Sequence, residues 1–135
     1  MDFLARFNLN MRMWMVRPDL FCRQHLLGQH QECHTFIGTI KRKISLKGYV
    51  DNNLLELKSI FWYHEQCAHE MINRGYNHKS PLEVIIFEEY IQDPYILDST
   101  INKAKALRSL LLRCNECTEK YENKIGPIQE FLNTF

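Results

Sequence analysis

What is scarce in this sequence removes whole classes of protein. No stretch approaches the roughly 18 consecutive apolar residues of a membrane span. The first ten residues, MDFLARFNLN, carry Asp2 and lack both the apolar core and the small-residue cleavage site of a secretory leader. An organelle address within FLARFNLNMR is short and only weakly amphipathic. Excess charge is missing too: 17 basic residues face 16 acidic ones, so any nucleic-acid surface must be a local patch. With 5 Gly and 4 Pro in 135 residues there is no linker, low-complexity tract or repeat. Cysteines number 5, an odd count, and most fall inside helical patterns rather than between turns. That excludes a disulfide framework and implies reduced thiols in a cytoplasmic or nuclear compartment.

What is present is helical periodicity. An apolar fraction of 45% suffices for one core. Pro18 and Asp19 sit where a helix starts, and Leu26, Cys33, Ile37 and Ile40 follow on one arc, predicting a first helix over about residues 19 to 43. SLKGYVDNN reads as a loop. Leu57, Ile60, Phe61, His64, Ala68, Met71 and Ile72 then mark a second helix that Gly75 stops. NHKSPLEVIIFEEYIQDPY is a connection with at most one short helix, and Asp98 or Ser99 is placed to cap a third long helix carrying Ala104, Leu107, Leu111, Cys114 and Tyr121. Gly126 ends it, and Pro127 opens a terminal turn of helix. The expected fold is all-α: a compact single domain at residues 11–135, with three main helices and a short C-terminal one, preceded by an extension at residues 1–10.

Several side chains stand out chemically. His25 and Glu32 share one flank of the first helix, about 100 to 120° from Leu26, with Gly28 between them as a notch that a ligand or another backbone can approach. A solvated polar face with an incidental glycine is the plainer alternative. His64 lies on the second apolar stripe and reads as a hydrogen-bonded structural histidine. Cys114 and Cys117 form one C-x-x-C, for which His30, Cys33 and His34 offer a second half-site at helical spacing. Without a matching pair that signal is weak, so neither metal nor cofactor is assigned. Lys41, Arg42, Lys43 and Lys47 form the densest basic cluster, which suits phosphate but is also locally favourable at a helix C-terminus.

The segment from MRMW through CRQHLLGQHQECH, followed by RGYNHKSPL at residues 74 to 82, resembles the endonuclease V-like pyrimidine-dimer DNA glycosylase family, with consistent spacing over residues 11 to 82. The resemblance implies an all-helical protein that binds duplex DNA at damaged pyrimidines or abasic sites, cuts the glycosidic bond and nicks the strand by β-elimination. It implies that the nucleophile is the α-amine of Met11, which attacks the sugar C1′ to form an imine. The catalytic carboxylate falls on Glu32, Arg12 matches a family arginine beside the nucleophile, and His25 matches a family histidine near the DNA backbone. Lys41 to Lys47 would grip phosphates, and extrusion of a nucleotide, less costly at a damaged step, would give selectivity.

Two departures matter. Gln31 and Thr35 occupy positions where the family's phage member carries DNA-facing arginines, which should weaken binding. With residues 1–10 attached, the Met11 nitrogen is an amide whose lone pair is delocalised, so it forms no imine. Translation from Met11 or proteolytic trimming would free it. Otherwise the protein is a catalytically silent relative, a structural component of a larger assembly such as a viral particle, docking a protein partner through Phe3, Leu4, Phe7 and Leu9.

Overall fold

The computed structural model describes residues 11–78 and 80–135, so the docking residues Phe3, Leu4, Phe7 and Leu9 lie outside the described residues. Among the described residues there are seven α-helices and no strand: α1 (Arg23–Lys41), α2 (Lys47–Asp51), α3 (Ile60–Asn73), α4 (Pro94–Leu97), α5 (Lys103–Arg113), α6 (Asn115–Lys124) and α7 (Ile128–Leu132). Single turns of tighter helix lie at Pro18–Leu20, Leu57–Ser59 and Phe87–Glu89. None of these helices is long and apolar enough to cross a membrane.

The first two predicted stripes meet. Leu26, Cys33, Ile37 and Ile40 of α1 pack with Ile60, Cys67 and Met71 of α3 in one buried cluster. Ile72, predicted to face inward, is instead exposed, because the stripe's arc ends at Met71. Gly75 stops α3 as expected, in the left-handed conformation at φ 81° where a side chain would be strained. The expected loop SLKGYVDNN folds in part into α2, which buries Gly48 and Tyr49, with the Tyr49 ring edge-on to Phe36 at 5.2 Å.

The third long helix is broken. Cys114 is extended (φ −127°, ψ 109°), closing α5 and capping α6 by accepting the Cys117 N–H. The break turns α6 back against the Pro18–Leu20 turn; Leu111 and Tyr121 are buried as expected, together with Ala106, Leu110 and Cys117, whereas Ala104 is exposed and Leu107 and Cys114 are half-buried. The cap of α5 is Asn102, whose side chain accepts the Lys105 N–H; the predicted cap Ser99 is buried and donates its hydroxyl to Leu55 and Ile96 carbonyls.

One element has no helical signal. Residues Met11 to Val16 are all buried, running without regular structure between α1 and the loop after α2, with Met15 in the left-handed region at φ 55° and the Met13 N–H donating to the Leu54 carbonyl at 2.8 Å. The Tyr63 hydroxyl donates to the Val16 carbonyl at 2.6 Å, fixing the far end of the segment.

Candidate active site

The buried N-terminal segment is held against α1 by Gln29. Its amide oxygen accepts the Trp14 N–H at 2.6 Å and its amide nitrogen donates to the Arg12 carbonyl at 2.8 Å. One side chain thus satisfies two buried backbone groups that no strand partner reaches. One turn further along α1, Glu32 Oε2 accepts the Arg12 backbone N–H at 3.2 Å. Consecutive backbone nitrogens are no more than about 3.6 Å apart, so the Met11 nitrogen lies within about 7 Å of that carboxylate.

The electrostatics of this corner are unusual. Burial outweighs the attraction of Arg12 and pushes the Glu32 carboxyl up to about 7, so it exchanges a proton near neutrality. Arg12 is itself buried; desolvation first, and repulsion by Arg113 second, bring its guanidinium down to about 10. The guanidinium carbon stands 3.7 Å above the Trp14 ring centre, and Arg12 Nε is buried without a hydrogen-bond partner among the described residues. Arg113, from α5, lies 5.6 Å from the same ring, so two arginines flank Trp14 beside Glu32.

Four of the other residues expected to contact DNA, His25, Gln31, Thr35 and Arg42, lie on the Glu32 flank of α1. At about 100° per residue, His25 lies about 20° from Glu32, and Gly28, Thr35, Arg42 and Gln31 fall within about 100° on one side of it. Gln31 and Thr35 are exposed, with the Thr35 hydroxyl turned back to the Gln31 carbonyl at 3.2 Å. Among the described residues a Cβ at Gly28 would meet nothing within 4 Å, so none of their backbone uses the notch. Gly28→Ala is therefore expected to stabilise the protein by about 0.5–1 kcal/mol, measured as a raised urea midpoint at constant slope. His25 is half-buried, with Nδ1 turned to Cys22 Sγ (3.2 Å) and Cys117 Sγ (3.7 Å).

The basic cluster is less uniform than its sequence. Lys41 pairs with Glu83 at 2.7 Å and Lys47 with Asp51 at 2.9 Å. Arg42 and Lys43 have no carboxylate partner among the described residues, and only Arg42 shares the Glu32 flank. A groove of about 470 Å³ beside this loop is lined by Lys43, Lys47, Tyr90 and Asp93; Met11, Arg12 and Glu32 take no part in it.

The family model for pyrimidine dimer DNA glycosylase matches residues 11–84, beginning at Met11 and spanning α1, α2 and α3. The chain belongs to the pyrimidine dimer DNA glycosylase family. No curated protein and no solved structure matches it. For this glycosylase-family chain, damaged DNA is the implied partner, and the helices α4 to α7 lie beyond the matched region.

Sequence reasoning missed three contributors to this corner. Gln29 was legible in principle, as a polar residue on the edge of the Leu26–Cys33 stripe. Trp14 and Arg113 were not, because only the tertiary fold brings α5 to the N-terminal segment. His64, by contrast, is fully buried as expected, bonded to Glu65 Oε1 at 2.9 Å and His34 Nε2 at 3.1 Å.

His64 is one of four clustered histidines. His30 and His78 share an Nε2 to Nε2 hydrogen bond of 2.7 Å, and the His30 ring lies 4.4 Å from His64 and 5.0 Å from His34. Desolvation, then repulsion by His64, His78 and His34, lowers His30 to about 4 against a slight opposing pull from Glu65. The unfolded chain takes up this proton near 6.5, so unfolding is favoured as pH falls from about 6.5 to 4. Comparison of urea midpoints across that window is expected to show a flatter acid slope for His30→Gln than for the unmodified chain.

Proposed function

We propose that this protein excises damaged pyrimidines from duplex DNA and nicks the strand at the resulting site through an imine formed on the Met11 α-amine. The observation that carries the reading is the Glu32 carboxyl, raised to about 7 and bonded to the backbone nitrogen next to Met11. A free amine there has an ordinary pKa of about 7.7–8.0 and is partly unprotonated at neutral pH. Its lone pair attacks the sugar C1′ as the base leaves with the glycosidic electrons, and opening of the sugar ring gives the imine. Glu32, ionised, then takes a proton from C2′, and the electrons expel the 3′ phosphate.

The remaining residues position DNA. Arg12 and Arg113 place two cations beside the reacting sugar, where the charge of a phosphate is most useful. Gln31, Thr35 and Arg42 line the same flank of α1, with Lys43 beyond it, while Lys41 and Lys47 must exchange Glu83 and Asp51 for phosphates before they contribute. His25 offers only its Nε2 to an outside partner. The place of action is wherever such DNA lies: cytoplasm, nucleus or a virion.

One observation favours a second reading, a catalytically silent scaffold relative. Asn10 precedes Met11 in the sequence, and a nitrogen bonded to Asn10 is an amide. Borohydride reduction in the presence of abasic duplex separates the two. A chain beginning at Met11 is expected to give a covalent DNA adduct that acetylation of the amine abolishes, and the same chain with residues 1–10 attached is expected to give none. If the Met11-initiated chain also fails to be trapped, the repair reading is wrong.

A further inference from the structure

Away from Glu32, four side chains from two distant parts of the chain converge at one point. Cys22, His25, Cys114 and Cys117 bring their ligand atoms within 4.8 Å of one another. Cys22 Sγ lies 3.2 Å from His25 Nδ1 and 3.9 Å from Cys114 Sγ, while Cys117 Sγ lies 3.7 Å from the same His25 nitrogen. In a tetrahedron with metal–sulfur bonds of about 2.3 Å and a metal–nitrogen bond of about 2.0 Å, neighbouring ligand atoms stand about 3.5–3.8 Å apart. The measured separations bracket that range, and the 3.9 Å between sulfurs is far outside the bonded distance of about 2.05 Å in a disulfide.

We propose that these four residues form a structural zinc site of the Cys3His type. The sequence carries the same spacing twice, Cys22-x-x-His25 and Cys114-x-x-Cys117, each pair beginning at the cap of a helix. The half-site expected from His30, Cys33 and His34 is not the one beside Cys114; the partner pair comes from the start of α1. Backbone N–H groups already point at all three sulfurs: His25 to Cys22, Cys117 to Cys114, and Cys22 to Cys117 at 3.2 Å. Such donors, together with the positive N-terminal ends of α1 and α6, stabilise thiolates. The other two cysteines, Cys33 and Cys67, are buried in the core and take no part in this cluster.

Binding replaces three S–H bonds by Zn–S bonds and releases three protons to solvent, while a neutral His25 donates its Nδ1 pair; nothing is oxidised or reduced. All four positions are protein ligands, so the site is closed to substrate and its work is mechanical. It clips α6, which lies outside the family match, to the base of the helix that carries Gln29 and Glu32. This inference is independent of the proposed repair chemistry.

The test uses the full chain purified under reducing conditions from zinc-supplemented cells. About one zinc per chain is expected, and replacement by Co²⁺ should give tetrahedral visible bands with thiolate-to-cobalt charge transfer. X-ray absorption should show three sulfurs at about 2.3 Å and one nitrogen at about 2.0 Å. Chelation is expected to lower the melting midpoint by at least about 5 °C. Cys114→Ser should lose the metal and Cys67→Ala should keep it; the cobalt spectrum of the unmodified chain stands even if a variant fails to fold. Absence of zinc together with no thiolate charge transfer would overturn the proposal. So would full zinc retention in Cys114→Ser, which would move the metal to His30, His64 and His78, or a Cys22–Cys114 disulfide found by mass spectrometry.

Discussion

Glu32→Gln, made in a chain that begins at Met11, is expected to fold normally and to nick abasic duplex about 10²–10⁴-fold more slowly in single turnover. The variant keeps an oxygen that accepts the Arg12 N–H, so the corner retains its geometry. What it loses is a group that takes a proton near neutrality. In the chain that begins at Met11 the rate needs two deprotonations, that of Glu32 and that of the amine, so at low pH, where both groups hold their protons, it should climb more steeply than tenfold per pH unit. The variant should retain only the amine's tenfold slope.

The same substitution carries a stability signature of opposite sign. The folded-state pKa of Glu32 lies above its ordinary value of 4.5, so the unfolded chain releases this proton first. Stability from this group is therefore present below pH 4.5 and lost as pH rises through about 7. Glu32→Gln should gain stability over the unmodified chain at pH 8 relative to pH 4, seen as diverging urea midpoints. A carboxylate kept in a site that destabilises it is the trade expected of a catalytic group, and a merely solvated glutamate would show neither effect.

Gln29→Leu is expected to be the most destabilising single change in this region. It orphans the buried Trp14 N–H and Arg12 carbonyl together, each at about 1–3 kcal/mol, for a combined loss of about 2–6 kcal/mol. Against a typical total of about 5–15 kcal/mol that is a large fraction, and the urea midpoint should fall accordingly. Leucine fills the same volume, so a cavity does not account for the loss. Because Gln29 also sets where residues 12 to 14 lie, the variant should nick more slowly even at temperatures where it remains folded.

The helical core was legible because α1 and most of α3 bury residues at a regular spacing, and Leu26, Cys33, Ile37 and Ile40 all fall inward as the period requires. Glu32 was legible for the same reason: its angle relative to that stripe and its place in the family motif select one flank. Long-range features were not. The break at Cys114 goes with the packing of α6 on the Pro18–Leu20 turn, a tertiary contact that the continuous helical pattern of the sequence does not reveal. The pairing of Cys114 and Cys117 with Cys22 and His25 spans more than ninety residues, as the 95-residue separation between Cys22 and Cys117 shows. The charges of Lys41 and Lys47 looked available in sequence, yet Glu83 and Asp51 are brought to them by the fold.

The central claim is that the Met11 nitrogen, beside Glu32, is the atom that bonds to DNA. Peptide mass mapping of the borohydride-reduced adduct tests it most directly. The account predicts the reduced sugar on the α-nitrogen of an N-terminal peptide beginning Met11-Arg12. A sugar found on a lysine side chain, or on the amine of Met1 in the chain that retains residues 1–10, would contradict it.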